Sequence, residues 1–489
     1  MQSCNQCKDY FRWSQVPLPS AATRKSDEPP SRRVSVRYPV SLVGGSGTTV
    51  GDFAAPSEAR QPAEPSRKAS PWVRRGGPAV LAVALVLYVV VYARWPSLVT
   101  QVDLQVYRFG ATRVWKGLDL YSIGLTGNPK ELLFIYPPFA ALCFLPLVPI
   151  TESAVQVLWL VLTCFLIAYA IQRMLKSMRL TAATALWGLT ALLVGLVAWL
   201  EPFRLSLQLG QINIAILAIV VADLLGPRQR RWAGIGIGLA AGIKLTPALF
   251  IIFLAAIGRL RAAVVASATF AVTILVGFAL LPTDSAFYWL RRGFDDAGRI
   301  SQNPFASTAN TSASGLLMRL HVPAALAAAT AVVLAGIAVI LGAIAYRRGR
   351  AVLGIAVLGM ASAAASPFSW SHHWVWFAPL MVHLGYRAYV ERSRYSAWTL
   401  WLLCALLGGW FTSLGDHPET GVLSLRPGGV WNDIVPGTYV LVFLAAMIYT
   451  AIWLWRSTDV AAATPESERP RRGDPATEVP AGARSSGAE

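Results

Sequence analysis

The sequence predicts an all-α polytopic membrane protein, and three observations carry that prediction. Of its 489 residues, 55% are apolar and only 14% charged, whereas a soluble domain carries about 25% charged residues. The mean hydropathy is +0.50. Apolar runs long enough to cross a bilayer recur along the chain, with basic residues gathered at their ends.

The elements follow in order. Residues 1–77 are rich in Ser, Pro, Gly, Arg and Ala without apolar periodicity, as are residues 457–489. Both read as disordered cytoplasmic tails around a membrane domain at 78–456. Cys4 and Cys7 form a lone C-x-x-C in the first tail, without the second ligand pair that a structural metal site needs. No cleavable signal peptide is expected, because the first apolar run begins at Pro78. Spanning runs fall near 79–95, 153–172, 181–200, 209–225, 261–281, 323–346, 351–366, 371–389, 396–414 and 436–455, which predicts about 10 to 12 transmembrane helices. Two further runs are ambiguous. The run 137–149 is bracketed by Pro137, Pro138, Pro146 and Pro149, and 232–258 is broken near Lys244 and Pro247; each reads as a short helix, a re-entrant piece or half of a pair.

The net charge of +18 would suggest nucleic acid in a soluble protein. Here it reads instead as cytoplasmic loops facing anionic lipid. Basic clusters at Arg74 and Arg75, at Arg173, Lys176 and Arg179, at Arg228, Arg230 and Arg231, at Arg259 and Arg261, at Arg347, Arg348 and Arg350, at Arg392 and Arg394, and at Arg456 all fall on one side if 137–149 does not fully cross and 232–258 turns back. Both termini are then cytoplasmic. The outer face receives 96–136, 201–210, the break at 244–247, 282–322, 367–371 and 415–435.

Nearly every unusual polar residue lies in or beside that outer set. Asp103 sits just beyond the first span in VDLQVYRFGATRVWKGLDLYS. The spacing of Val102, Val106, Phe109 and Val114 there predicts an interfacial helix holding Asp103 at the membrane surface; a helix cap or a partner for Arg108 is the plainer alternative. Asp119 and Tyr121 follow in the same loop. Glu201 and Arg204 could pair with each other, and Gln211 and Asn213 could cap helices or join them. Lys244 lies deep in an apolar run, where a charge is costly unless it faces a cavity, a partner or an anionic ligand, and Pro247 frees backbone groups beside it. His372 and His373 stand among aromatic residues, and adjacent histidines cannot share one metal in the i, i+4 manner. No H-E-x-x-H, G-x-x-x-x-G-K-[ST] or G-x-G-x-x-G is present, so neither zinc hydrolysis nor P-loop chemistry is expected, and no cofactor.

Five strings, DLQVY at 103, IYPPFAALCFLPL at 135, EPFRLSLQLGQIN at 201, GIGLAAGIKLTPALF at 236 and SPFSWSHHWVWFAPL at 366, together resemble the polyprenol-phosphate-mannose-dependent α-(1→2)-mannosyltransferases of actinobacteria, multi-pass plasma-membrane enzymes of the GT-C fold. The resemblance covers roughly residues 79–455. It implies mannose transfer from a polyprenyl-phosphate-mannose donor to a phosphatidylinositol mannoside, lipomannan or related lipoglycan acceptor, with inversion, on the outer face. It also implies Asp103 as catalytic base. Lys244, Arg204 and one or other of His372 and His373 are then the donor-phosphate set, and Tyr107, Glu201, Gln211, Asn213, Asn310 and Ser312 the substrate-binding set. At Ala309-Asn310-Thr311-Ser312 the chain departs from the family, which has Gln where Thr311 stands. A lipid-linked donor accounts for the missing nucleotide and metal motifs. A transporter, in which broken helices and buried charge also mark substrate sites, and a GT-C protein O-mannosyl- or arabinosyltransferase are the competing readings.

Overall fold

A computed structural model describes residues 71–462, apart from 228–229, 292, 294–306, 416–417 and 426. Residues 1–70 and 463–489, with Cys4 and Cys7, and Arg228 lie outside the described residues, whereas 71–77 and 457–462, expected to be disordered tail, are helical because the first and last spanning helices extend into them. What is described is a helical bundle, and the helices used below are α1 (Pro71–Arg94), α2 (Val102–Trp115), α3 (Pro138–Cys143), α4 (Glu152–Ser177), α5 (Ala183–Ala198), α6 (Glu201–Leu209), α7 (Asn213–Leu224), α8 (Ile235–Ile243), α9 (Leu249–Ala256), α10 (Leu260–Leu280), α11 (Ala313–Arg319), α12 (Ala324–Arg347), α13 (Ala351–Ala364), α14 (Phe377–Tyr389), α15 (Arg394–Leu407) and α16 (Thr438–Ala462). A two-stranded hairpin pairs β1 (Phe411–Ser413) with β2 (Glu419–Thr420).

Each predicted apolar run carries a helix, but not every one has spanning length. Five helices among the described residues are long and apolar enough to cross a membrane, or six if the bent pair α6 and α7 counts as one span. The rest are shorter apolar helices such as α5 and α13. Their brevity has a packing reason. Every residue of α13 from Val352 to Ala364 is buried, so this helix lies inside the bundle and never meets lipid. By contrast Val83, Leu85, Val86, Val89 and Val90 of α1 are exposed, as a lipid-facing surface requires.

The ambiguous run 232–258 is two short helices, α8 and α9, separated at Lys244, whose backbone is extended (φ −145°, ψ 131°). Small residues seat α8: Gly238 and Gly242 press against Thr269 and Thr273 of α10, leaving no room for a β-carbon, and so bring the two backbones together. The run 137–149 becomes the short helix α3 and a 3-10 turn at Leu145–Leu147. Between α6 and α7 the chain bends by 116°. Gly210 makes the bend possible: its φ is +69°, and a β-carbon would come within 2.7 Å of the Leu104 side chain in α2.

Candidate active site

Asp103 is the second residue of α2. The helix forms where the alternation predicts it, but its buried face is Leu104, Val106, Tyr107, Gly110 and Ala111. The expected stripe of Val102, Val106, Phe109 and Val114 is therefore corrected: only Val106 of the four is fully buried. The helix turns so because Tyr107 is drawn into the bundle by hydrogen bonds, donating to Gln211 Oε1 at 3.0 Å and lying 3.0 Å from the Tyr136 hydroxyl. Its ring stacks on Phe144 at 4.7 Å. Gln101 fixes the start of α2. It takes a left-handed conformation (φ 43°), its N–H donates to Gln208 O at 2.7 Å, and its side chain reaches Gln156 O.

That packing delivers Asp103 to the bend between α6 and α7, where Gln211 Nε2 donates to its Oδ2 at 2.6 Å. Neither plainer alternative describes it. Arg108 donates to the carbonyls of Leu147 and Ile150, and Asp103 is not the cap of α2. Burial pushes the Asp103 carboxyl up to about 6, against the opposing pull of the Gln211 hydrogen bond and the positive charge of Lys244.

Lys244 comes to the same place from the α8–α9 break. Its Nζ donates to Asn213 Oδ1 at 2.8 Å and lies 5.4 Å from the centre of the Tyr136 ring. Asn213 in turn donates to His372 O at 2.9 Å. One connected chain of contacts thus joins Asp103, Gln211, Tyr107, Tyr136, Lys244, Asn213 and the histidine loop. His373 lines a small cavity with Asn213, Thr246, Ser362 and Trp376. His372 does not line it; it is buried, stacked against Trp370.

Asn310 and Ser312 lie behind that loop. Asn310 Oδ1 accepts from the N–H groups of Ser312 and Ser369, both at 3.1 Å, and the Ser312 hydroxyl caps α11 by accepting from Gly315 N. Thr311, where the chain departs from the family pattern, is a working part of the clamp: its N–H and hydroxyl both donate to Ser369 O at 2.7 Å, and its Oγ accepts from Trp374 Nε1 at 2.9 Å. These three residues hold the segment that carries the histidines.

Glu201 and Arg204 are not brought to Lys244. With Gln208 they lie on one face of α6, as spacings of three and four dictate, and Arg204 Nη1 donates to Gln208 Oε1 at 2.7 Å. No ion pair joins Glu201 to Arg204 among the described residues. Gly409 and Gly421, flanking the β1–β2 hairpin, pack directly onto Arg204 and Glu201. Asp119 serves its own turn, accepting from Tyr121 N, and the Tyr121 hydroxyl donates to Tyr136 O. Sequence reasoning missed Gln101, Tyr136, Thr311 and Ser369 as members of the site. Tyr136 had a signal, its place before the double proline; the others act through backbone contacts that no spacing reveals.

Among the described residues, a half-buried carboxylate and a half-buried lysine converge where two breaks in the apolar helices meet, an arrangement suited to a membrane enzyme with an anionic substrate. Comparison with known proteins gives the family. The profile of glycosyltransferase family 87 matches residues 134–367, and the chain belongs to this family and is a glycosyltransferase. It is 33% identical, over 80% of its length and 90% of the relative's, to a polyprenol-phosphate-mannose-dependent alpha-(1-2)-phosphatidylinositol pentamannoside mannosyltransferase of Mycobacterium tuberculosis. It is 31% identical, over 70% of its length and 81% of the relative's, to a polyprenol-phosphate-mannose-dependent alpha-(1-2)-phosphatidylinositol mannoside mannosyltransferase of Mycolicibacterium smegmatis. No solved structure matches the chain. Membership of a transferase family sets the transporter reading aside.

Proposed function

We propose that the protein transfers mannose from polyprenyl-phosphate-mannose to a phosphatidylinositol mannoside or related lipoglycan, forming an α-1,2 linkage on the outer face of the plasma membrane. The names of the relatives support the donor and the acceptor class. The observation that carries the chemistry is the Asp103 carboxylate, held by Gln211 within electrostatic reach of Lys244.

In this reading Asp103 accepts the proton of the acceptor hydroxyl as its oxygen attacks the anomeric carbon of a β-mannosyl phosphate. The bond from that carbon to the phosphate oxygen breaks, and polyprenyl phosphate leaves with the electron pair. Attack from the opposite face inverts the centre, giving the α product. The leaving phosphate needs no proton, only positive groups where its charge develops. Lys244 supplies the charge, and His373 lines the small cavity beside its partner Asn213. Gln211 and Tyr107 orient Asp103, Asn213 orients Lys244, and Asn310 with Ser312 steadies the histidine loop. Glu201 and Arg204 lie across α6, so their part in substrate binding would be exerted from beneath the hairpin.

Purified protein supplied with labelled polyprenyl-phosphate-mannose and phosphatidylinositol mannosides tests this. The expected product carries label removable by an α-1,2-specific mannosidase. Label that appears on protein instead, or transfer only from an arabinosyl donor, would overturn the assignment.

A further inference from the structure

We infer that the end of the bundle remote from Asp103 holds a built site for a phosphate anion, and that it takes the head group of an anionic phospholipid. The inference does not rest on the mannosyl-transfer reading. Helix α4 measures the separation: Gln101 reaches Gln156 near one end, and Arg173 donates to Leu225 O near the other, about 25 Å of helix away.

There an open cavity of about 220 Å³ is lined by Arg230, Ala233, Ile257, Gly258, Arg259, Leu260, Arg261 and Ala262. Arg259 is only 7% exposed. Its Nη1 donates to Leu224 O at 2.8 Å, while its buried Nε and Nη2 have no hydrogen-bond partner among the described residues. Two idle donors on a buried cation are costly unless an anion meets them. The second feature points the same way. The lining includes the first turn of α10, a helix of 21 residues with no side-chain cap and no acidic residue in that turn. Its leading N–H groups and positive dipole end face the same space as Arg259. Arg230 and Arg261 are exposed at the rim.

The carboxylate of the adjoining helix does not neutralise the cavity. Asp223 is committed to α8 and the turn before it, accepting from Gly234 N and Ile237 N at 2.8 and 3.0 Å. Exposed Trp232 and Leu260 flank the opening, and the Arg231 guanidinium lies 5.6 Å from the Trp232 ring centre, an arrangement suited to the bilayer interface. A phosphodiester there lies over the Arg259 guanidinium and against the leading N–H groups of α10, with its acyl chains beside Trp232 and Leu260.

The test is thermal unfolding of the purified full chain in neutral detergent, followed by tryptophan fluorescence as phosphatidylglycerol is titrated. Parallel arms use phosphatidylcholine and inorganic phosphate. The expected result is a rise in Tm with phosphatidylglycerol alone, weakened by salt. Arg259→Ala should reduce the apparent affinity by about tenfold or more, and Arg259→Lys should restore part of it. Arg261→Ala, at an exposed position with no folding risk, should also weaken it. An unchanged lipid response in both alanine variants would overturn the site, and an equal shift with inorganic phosphate would overturn its assignment to lipid.

Discussion

The carboxylate of Asp103 is the group on which the proposed chemistry turns, and its surroundings make its behaviour measurable. Its pKa is raised to about 6 by burial, so kcat/KM for transfer should fall about tenfold per pH unit below that value, as the base becomes protonated. The stability effect has the opposite sense. A carboxyl whose folded pKa lies above its unfolded value stabilises the fold at low pH, and that contribution is lost as pH rises through about 6. Asp103→Asn should therefore cut transfer by roughly 10²- to 10⁴-fold while leaving Tm at neutral pH equal or higher. An Asn variant with near-normal transfer would remove the base from Asp103. Lys244 makes a second prediction. Lys244 donates to Asn213 and has no carboxylate hydrogen-bonded to it among the described residues, so Lys244→Ala should weaken donor binding about tenfold or more, and Lys244→Arg should retain part. Titration of donor against the purified variants checks it, and unchanged affinity would make Lys244 purely structural.

At the scale of elements, the bend between α6 and α7 decides where Asp103 and Gln211 meet. Gly210→Ala forces a left-handed conformation on a residue with a β-carbon, which costs about 1 to 2 kcal/mol, and drives that carbon against Leu104. The expected outcome is a lower Tm, together with a loss of transfer exceeding what the unfolded fraction explains, because α2 must shift. Measuring kcat on the folded protein separates the two effects. This element was only partly legible in sequence. The break at Lys244 beside Pro247 was visible, but 201–210 reads as a connection between two spans, whereas Glu201–Leu209 is a helix bent against the next one at Gly210. Nor was it visible which face of α2 would turn inward. Its valines mark one stripe, but the hydrogen bonds of Tyr107 to Gln211 and Tyr136, partners far along the chain, rotate another stripe into the bundle.

For the whole molecule, the basic clusters assign the ends of the helices to two sides of the membrane. Ser122 and Ser177 are both exposed, and that rule places them on opposite faces. A cysteine introduced at Ser122 should be labelled by an impermeant reagent from outside the cell, and one at Ser177 should not. Labelling at 177 from outside would invert the orientation and carry Asp103 to the wrong face.

Composition and the recurrence of apolar runs sufficed to establish an all-helical membrane protein, because burying backbone polar groups in lipid leaves few other solutions. The ordered strings from DLQVY to SPFSWSHHWVWFAPL pointed to the family, to which the chain belongs. The tertiary structure decided which polar residues act together. Asp103, Gln211, Asn213 and Lys244 come from three separate stretches and converge only because two helix breaks face each other. Arg204, also basic and more deeply buried than Lys244, packs instead against Gly409 beside the hairpin. Helical periodicity fixes which residues of one helix share a face, but the neighbour that a face meets is set by packing between distant segments, which no local pattern encodes.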